Sequence, residues 1–239
     1  MWLGSCSFQA GIRQLIVRDT PSPNFGPRRD GAKPDLIVIH YTAMRAADAA
    51  CRALCDPSRE VSAHYLIARN GAVQRLVPEA DRAWHAGAGR WGDITDVNSR
   101  SIGIELDNDG YSPFSAPLMD SLTVLLGDVR ARWAIPDHGV IGHSDIAPGR
   151  KIDPGPRFDW QRLARLGHGV WPSVGVAPAD FVNNMRLFGY TATTDPTLLL
   201  QIFRLRFAPH RIGPLCDADR CEIADLAARF PVDASGLTA

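Results

Sequence analysis

The chain has 239 residues, 45% hydrophobic and 22% charged, the balance of a globular protein that can bury a core and not of a disordered or fibrous one. Its 26 Lys and Arg equal its 26 Asp and Glu, and no run of basic residues occurs, so there is no net field for gathering nucleic acid or an anionic membrane. No stretch approaches the roughly 20 apolar residues of a membrane-spanning helix.

Met1-Trp2-Leu3-Gly4-Ser5-Cys6 lacks the basic and apolar regions of a signal peptide. Leu3-Gly4-Ser5-Cys6 has the look of a lipoprotein cleavage site without the apolar stretch that should precede it. A cytoplasmic location is therefore expected, or a periplasmic or membrane-anchored one if the true start lies upstream. Residues 1–33, rich in Pro, Arg, Gly and Asn, read as an irregular lead-in. Leu36-Ile37-Val38-Ile39 then forms an apolar, mostly β-branched run, the pattern of a strand buried on both faces. An Ala-rich helix follows over about 44–55. Residues 64–68 and 72–77 flank Arg69-Asn70-Gly71, and Asn-Gly between two such runs predicts a hairpin. A strand is expected at 101–106 and a helix at 117–133, with Pro117 at its start. A short strand at 140–143 and a helix at 160–166 complete the domain spanning 34–168.

Residues 169–178 read as a Gly/Pro-rich linker. Beyond it, 179–239 reads as a small domain of three helices at 179–188, 196–207 and 217–229. Strands separated by helices, with one hairpin, give an α/β fold with a central mixed β-sheet flanked by helices. The five cysteines (Cys6, Cys51, Cys55, Cys216, Cys221) are an odd number without the spacing of a structural zinc site, and read as reduced thiols.

Three residues point to metal chemistry. His40 ends the buried strand, His143 ends the strand at 140–143, and Asp153 lies ten residues further along a loop stiffened by Pro148, Gly149, Pro154 and Gly155. Two imidazoles and a carboxylate that leave a fourth position open describe a catalytic zinc site and not a closed structural one. The seven histidines allow other triplets.

Ile39-His40-Tyr41-Thr42, Val61-Ser62-Ala63-His64-Tyr65, Ala83-Trp84-His85-Ala86-Gly87, the block from Asn98 to Leu106, and the block from Gly142 to Gly155 follow one another in a familiar order. Over about residues 35–167 the chain resembles type 2 N-acetylmuramoyl-L-alanine amidases, the AmpD/AmiD group related to peptidoglycan recognition proteins. Its tail resembles the small three-helix peptidoglycan-binding module of AmiD-like members, around Phe188-Gly189-Tyr190 and residues 202–207. The resemblance implies that His40, His143 and Asp153 bind Zn²⁺, with Glu105 as general acid/base and Lys151 stabilising the oxyanion. Trp84, His85 and Asn98 become the expected substrate contacts. The implied reaction cuts the amide between the muramic acid lactyl group and L-Ala, in peptidoglycan or (anhydro)muropeptides, by a monomer.

One departure stands out. Some relatives carry a tyrosine immediately before the position of His64, where this chain has Ala63, so the load shifts to Glu105. His64 itself matches a structural position and not a ligand. The competing reading is a recognition module that binds peptidoglycan without cutting it. Such modules lack the third metal ligand, so Asp153, together with Lys151 and Glu105, separates the two. A third reading makes the C-terminal helices a packing or dimerisation element.

Overall fold

A computed structural model describes residues 15–232. Cys6 and the lipoprotein-like tetrapeptide lie outside the described residues. The strands are β1 (Val17–Asp19), β2 (Phe25–Pro27), β3 (Leu36–Tyr41), β4 (Tyr65–Ile67), β5 (Val73–Arg75), β6 (Asp81–Ala83), β7 (Ser101–Leu106) and β8 (Val140–Gly142). Six form one mixed sheet in the order β1-β5-β4-β7-β3-β8, and β2 pairs with β6 separately. Strands β4, β7, β3 and β8 run parallel, and β5 returns antiparallel to β4.

The apolar run at 36–39 makes β3 a central strand for the reason the sequence suggests: both its faces are covered. Ile37 and Ile39 pack with Ile102, Ile104 and the apolar stripe Leu118, Leu122, Leu125, Leu126 and Val129 of helix α3 (Ala116–Trp133). Leu36 and Val38 face the other side, with Ile141 and Ile146. The period of two along a strand thus sends His40 to the same face as Val38. The Asn70-Gly71 turn joins β4 to β5 as expected. Gly71 has φ +85°, and a Cβ there would come within 2.7 Å of the Pro117 carbonyl oxygen.

Several elements depart from the sequence reading. The lead-in is not wholly irregular, since β1 adds to the sheet edge beside β5 and β2 pairs with β6. Three-residue strands carry too few residues for a period to show. Helix α1 (Ala47–Leu54) starts three residues later than Met44, and α2 (Val97–Arg100) was not foreseen. His143 does not end a strand: it opens the short helix α4 (His143–Ile146).

After α5 (Trp160–Arg165), residues 169–178 are irregular, and the tail forms α6 (Phe181–Phe188), α7 (Pro196–Phe207) and α8 (Asp217–Arg229). Asp180 and Asp195 cap α6 and α7 by accepting backbone N–H bonds. Phe188, Tyr190, Phe203 and Phe207 of this tail join Trp91, Val38, Ile141 and Ile146 in one apolar cluster. Arg206 of α7 reaches Asp145 of α4 at 2.6 Å, with both side chains 1% exposed. Among the described residues, no helix is long and apolar enough to cross a membrane.

Candidate metal centre

The site lies where parallel strands end. His40 in β3 is in register with Glu105 in β7, so the two side chains stand beside each other on one face. On its other side β3 pairs with β8, with Ile39 opposite Gly142, and His143 follows at once in α4. Carboxyl ends of adjacent parallel strands are where α/β sheets gather their functional groups. The loop after α4 folds back, and Ser144 N–H donates to the Asp153 carbonyl at 2.9 Å, which returns Asp153 to the histidines.

His40 Nδ1, His143 Nδ1 and Asp153 Oδ2 form a triangle with all three sides 3.0 Å. Tetrahedral zinc with bonds of about 2.0–2.1 Å needs donors about 3.3 Å apart, so the triangle fits a metal and leaves a fourth direction open. The donor chemistry agrees. His143 Nε2 lies 2.9 Å from the Ala86 carbonyl, which can only accept, so the ring proton sits on Nε2 and Nδ1 presents its lone pair to the triangle. Among the described residues these three form the one cluster of His, Cys, Asp or Glu side chains placed to hold a metal ion.

Burial, and then the neighbouring His143, push His40 down to about 4. Burial pushes the Asp153 carboxyl up, but the adjoining His143 and His40 rings outweigh it and hold the group well below the usual carboxylate range. Glu105 behaves oppositely. Burial drives its carboxyl up to about 8, Asp153's negative charge adds to the rise, and Lys151 opposes it. Its Oε2 is buried and has no hydrogen-bond partner among the described residues.

His40, His143, Asp153, Glu105 and Lys151 line one cavity of about 580 Å³, together with Trp84 and His85. Apolar Ala50, Ala53 and Leu54 of α1 line it as well. Asn98 does not line this cavity. It is buried behind it, and its Oδ1 accepts the backbone N–H groups of His85 at 3.1 Å and Ala86 at 2.8 Å. His64 stands outside the triangle, with its Nδ1 accepting the Gly103 N–H at 2.9 Å. His138 and His168 are half-buried and His210 is exposed, away from the site.

Two supporting residues were not legible in the sequence. Arg28 buries its guanidinium and donates to the carbonyls of Glu79, Ser99 and Ser101, tying the lead-in to the segment before β7. Ser101 Oγ lies 3.2 Å from His85 Nε2. A single Arg in a Pro/Gly-rich stretch and a Ser at the start of a strand carry no pattern that would mark them.

Residues 30–156 match the family model described as N-acetylmuramoyl-L-alanine amidase. The chain is 36% identical to the N-acetylmuramoyl-L-alanine amidase AmiD of Escherichia coli K12, over 90% of this chain and 91% of that one. It is 35% identical to the 1,6-anhydro-N-acetylmuramyl-L-alanine amidase AmpD of Enterobacter cloacae, over 62% of this chain and 88% of that one. The fold is similar to E. coli AmiD in complex with the substrate anhydro-N-acetylmuramic acid-L-Ala-D-γ-Glu-L-Lys, with TM-score 0.75, 31% identity, and coverage of 85% of this chain and 93% of that one. It is equally similar to Pseudomonas aeruginosa AmpDh3 in complex with anhydromuramic pentapeptide, with TM-score 0.75, 30% identity, and coverage of 89% and 96%.

Proposed function

This chain belongs to the N-acetylmuramoyl-L-alanine amidase family, and from that premise we propose that it uses zinc, held by His40, His143 and Asp153, to cut the bond between the lactyl group and L-Ala of muropeptides. The observation that carries the reading is the triangle of donors 3.0 Å apart in the same cavity as the unpartnered Glu105 carboxyl oxygen. Zinc bound there would supply Lewis acidity, polarising the scissile carbonyl and making a water-derived nucleophile available near neutral pH.

The chain's own residues supply the rest. Glu105, held in register beside His40, is placed to take a proton from the attacking water and pass it to the leaving nitrogen. A carboxyl raised to about 8 by burial both accepts and releases a proton near neutral pH. Lys151, which lines the same cavity, would stabilise the negative charge that develops on the carbonyl oxygen. Trp84 gives the sugar or lactyl group an aromatic surface, and Ala50, Ala53 and Leu54 add apolar surface to the same cavity.

The match to AmiD spans the helical tail as well as the sheet, and that favours a broad substrate range over one restricted to anhydro forms. Mass spectrometry of products tests this. Purified protein receives an anhydro-muropeptide and its reducing-end counterpart together, with and without chelator. Chelator-sensitive release of free peptide from both substrates is the expected result. Release from the anhydro form alone would replace the broad reading with a cytoplasmic recycling role. No release from either, with zinc bound, would overturn hydrolysis in favour of recognition alone.

A further inference from the structure

Behind His40 runs a chain of hydrogen bonds in which each proton has one consistent place. Ser101 Oγ lies 2.6 Å from the Val97 carbonyl, which only accepts, so the single hydroxyl proton of Ser101 points there. His85 Nε2, 3.2 Å from the same Oγ, then donates to it. That leaves His85 Nδ1 as an acceptor, and it lies 3.0 Å from His40 Nε2. His40 therefore carries its proton on Nε2 and turns the lone pair of Nδ1 toward His143 and Asp153.

The His85 ring has a built seat. Gly103 of β7 faces it, and a Cβ added there would come 2.4 Å from His85 Cγ, so only glycine at this strand position leaves room for the ring. Asn98 Oδ1 fixes the backbone by accepting the N–H groups of His85 and Ala86. The Ala86 carbonyl in turn takes the Nε2 proton of His143. Two consecutive residues, pinned by one carboxamide, thus orient both imidazoles: His85 through its ring and Ala86 through its carbonyl.

We infer, on the premise of the metal site proposed above, that His85 is a positioning residue and not a substrate contact: it accepts the Nε2 proton of His40 and thereby holds His40's lone pair on the metal, with Asn98, Ser101 and Gly103 maintaining it there. Partners of this kind fix the tautomer and orientation of a ligating imidazole, and their loss typically weakens metal binding 10–100-fold.

The test uses the full chain in three forms. His85→Leu removes the acceptor at similar size, and His85→Asn restores an oxygen near the place of Nδ1. Zinc affinity is read by competition with a chromogenic chelator, and kcat and KM are read at saturating zinc. His85→Leu should weaken zinc binding by about 10- to 100-fold, His85→Asn should recover most of that loss, and KM should stay within about twofold of the parent. Long-range ¹H–¹⁵N spectra of the parent should show His85 protonated on Nε2. That measurement decides the matter even if His85→Leu does not fold. Parent-like zinc affinity in His85→Leu, no recovery in His85→Asn, a raised KM with unchanged affinity, or a His85 proton on Nδ1 would each overturn the assignment. A parent chain that binds no zinc would instead overturn the metal site itself.

Discussion

Replacing Arg206 with Met should destabilise the protein and loosen the metal site together. The guanidinium of Arg206 donates to Asp145 Oδ2 at 2.6 Å and to the Val140 carbonyl at 3.0 Å, and it lies 4.3 Å from the Trp160 ring centre. Methionine keeps much of the apolar stem and removes the charge. Asp145 would retain its bonds from the Gly142 N–H and the Tyr190 hydroxyl, both 2.7 Å, but its carboxylate would be buried without a cation. Breaking a buried pair by removing one partner costs about 3–5 kcal/mol. Among the described residues Arg206 Nε has no partner, so the pair is imperfect and the lower end, about 3 kcal/mol, is expected. With a denaturant slope near 3 kcal/mol per molar, the urea midpoint should fall by about 1 M. Asp145 also fixes the turn from β8 into α4, from which His143 projects, so zinc affinity should fall as well. Urea unfolding of the zinc-free chain reads the first effect and chelator competition the second. In Asp145→Asn/Arg206→Met the losses should be less than additive, because neither charge is then stranded. A midpoint within about 0.3 M of the parent, or strict additivity, would refute the reasoning.

Chelation of the zinc-loaded protein should lower its melting temperature, since a ligand held only by the folded state adds about 2.7 kcal/mol at 100 times its Kd, and an unchanged temperature argues against a tightly held metal. Asp153→Ala should abolish tight zinc binding and hydrolysis while leaving muropeptide binding measurable by calorimetry; retained hydrolysis in a metal-checked preparation would remove Asp153 from the ligand set. Glu105→Gln should lower kcat by about 10²- to 10⁴-fold with little change in zinc affinity, the reverse of the pattern for a ligand. Acid should destabilise the fold through His64, whose folded pKa is lowered to about 3 chiefly by burial. Its stabilising contribution is complete above about 6.5 and is lost as pH falls toward 3, reaching about 3 kcal/mol of loss at pH 4.5. Protonation would also remove the acceptor of the Gly103 N–H. Urea unfolding at pH 7 and 4.5 should therefore show a smaller acid loss in His64→Gln than in the parent, and equal losses would count against this.

What the sequence disclosed, and what it hid, follows from the range of each interaction. The β3 run and the Asn70-Gly71 hairpin are local patterns, and the α3 stripe repeats over 18 residues, so their signals are strong. His40, Glu105 and His143 were placed at strand ends by reading strands alone. That they share one end of one sheet depends on strand order, and β3 sits between β7 and β8 although β7 and β8 follow it by 60 residues or more. Asp153 reaches the histidines through a loop bond from Ser144, which has no periodic signature. Asn98 was expected to touch substrate because it lies in a recognisable block. Its structural place, holding residues 85 and 86 from behind, depends on a contact across 12 or 13 residues that no spacing rule encodes.

The same distinction bears on the helical tail. Its three helices were visible in sequence, but not what they cover. Phe188, Tyr190, Phe203 and Phe207 are buried in the cluster that includes Trp91 and the underside of β3 and β8. Tyr190 donates its hydroxyl to Asp145, two residues from His143, and burial holds that phenol well above its usual range, so it keeps its proton to donate. Cut away from the sheet, the tail would expose this apolar face, and the sheet would lose the partner of Asp145. Capture of an isolated tail by peptidoglycan would then report a sticky surface as readily as a wall-binding one. The informative comparison keeps the full chain and alters only exposed positions of α6 to α8, such as Gln201, where a change in sedimentation with insoluble peptidoglycan, at unchanged kcat on soluble muropeptide, would separate wall binding from packing.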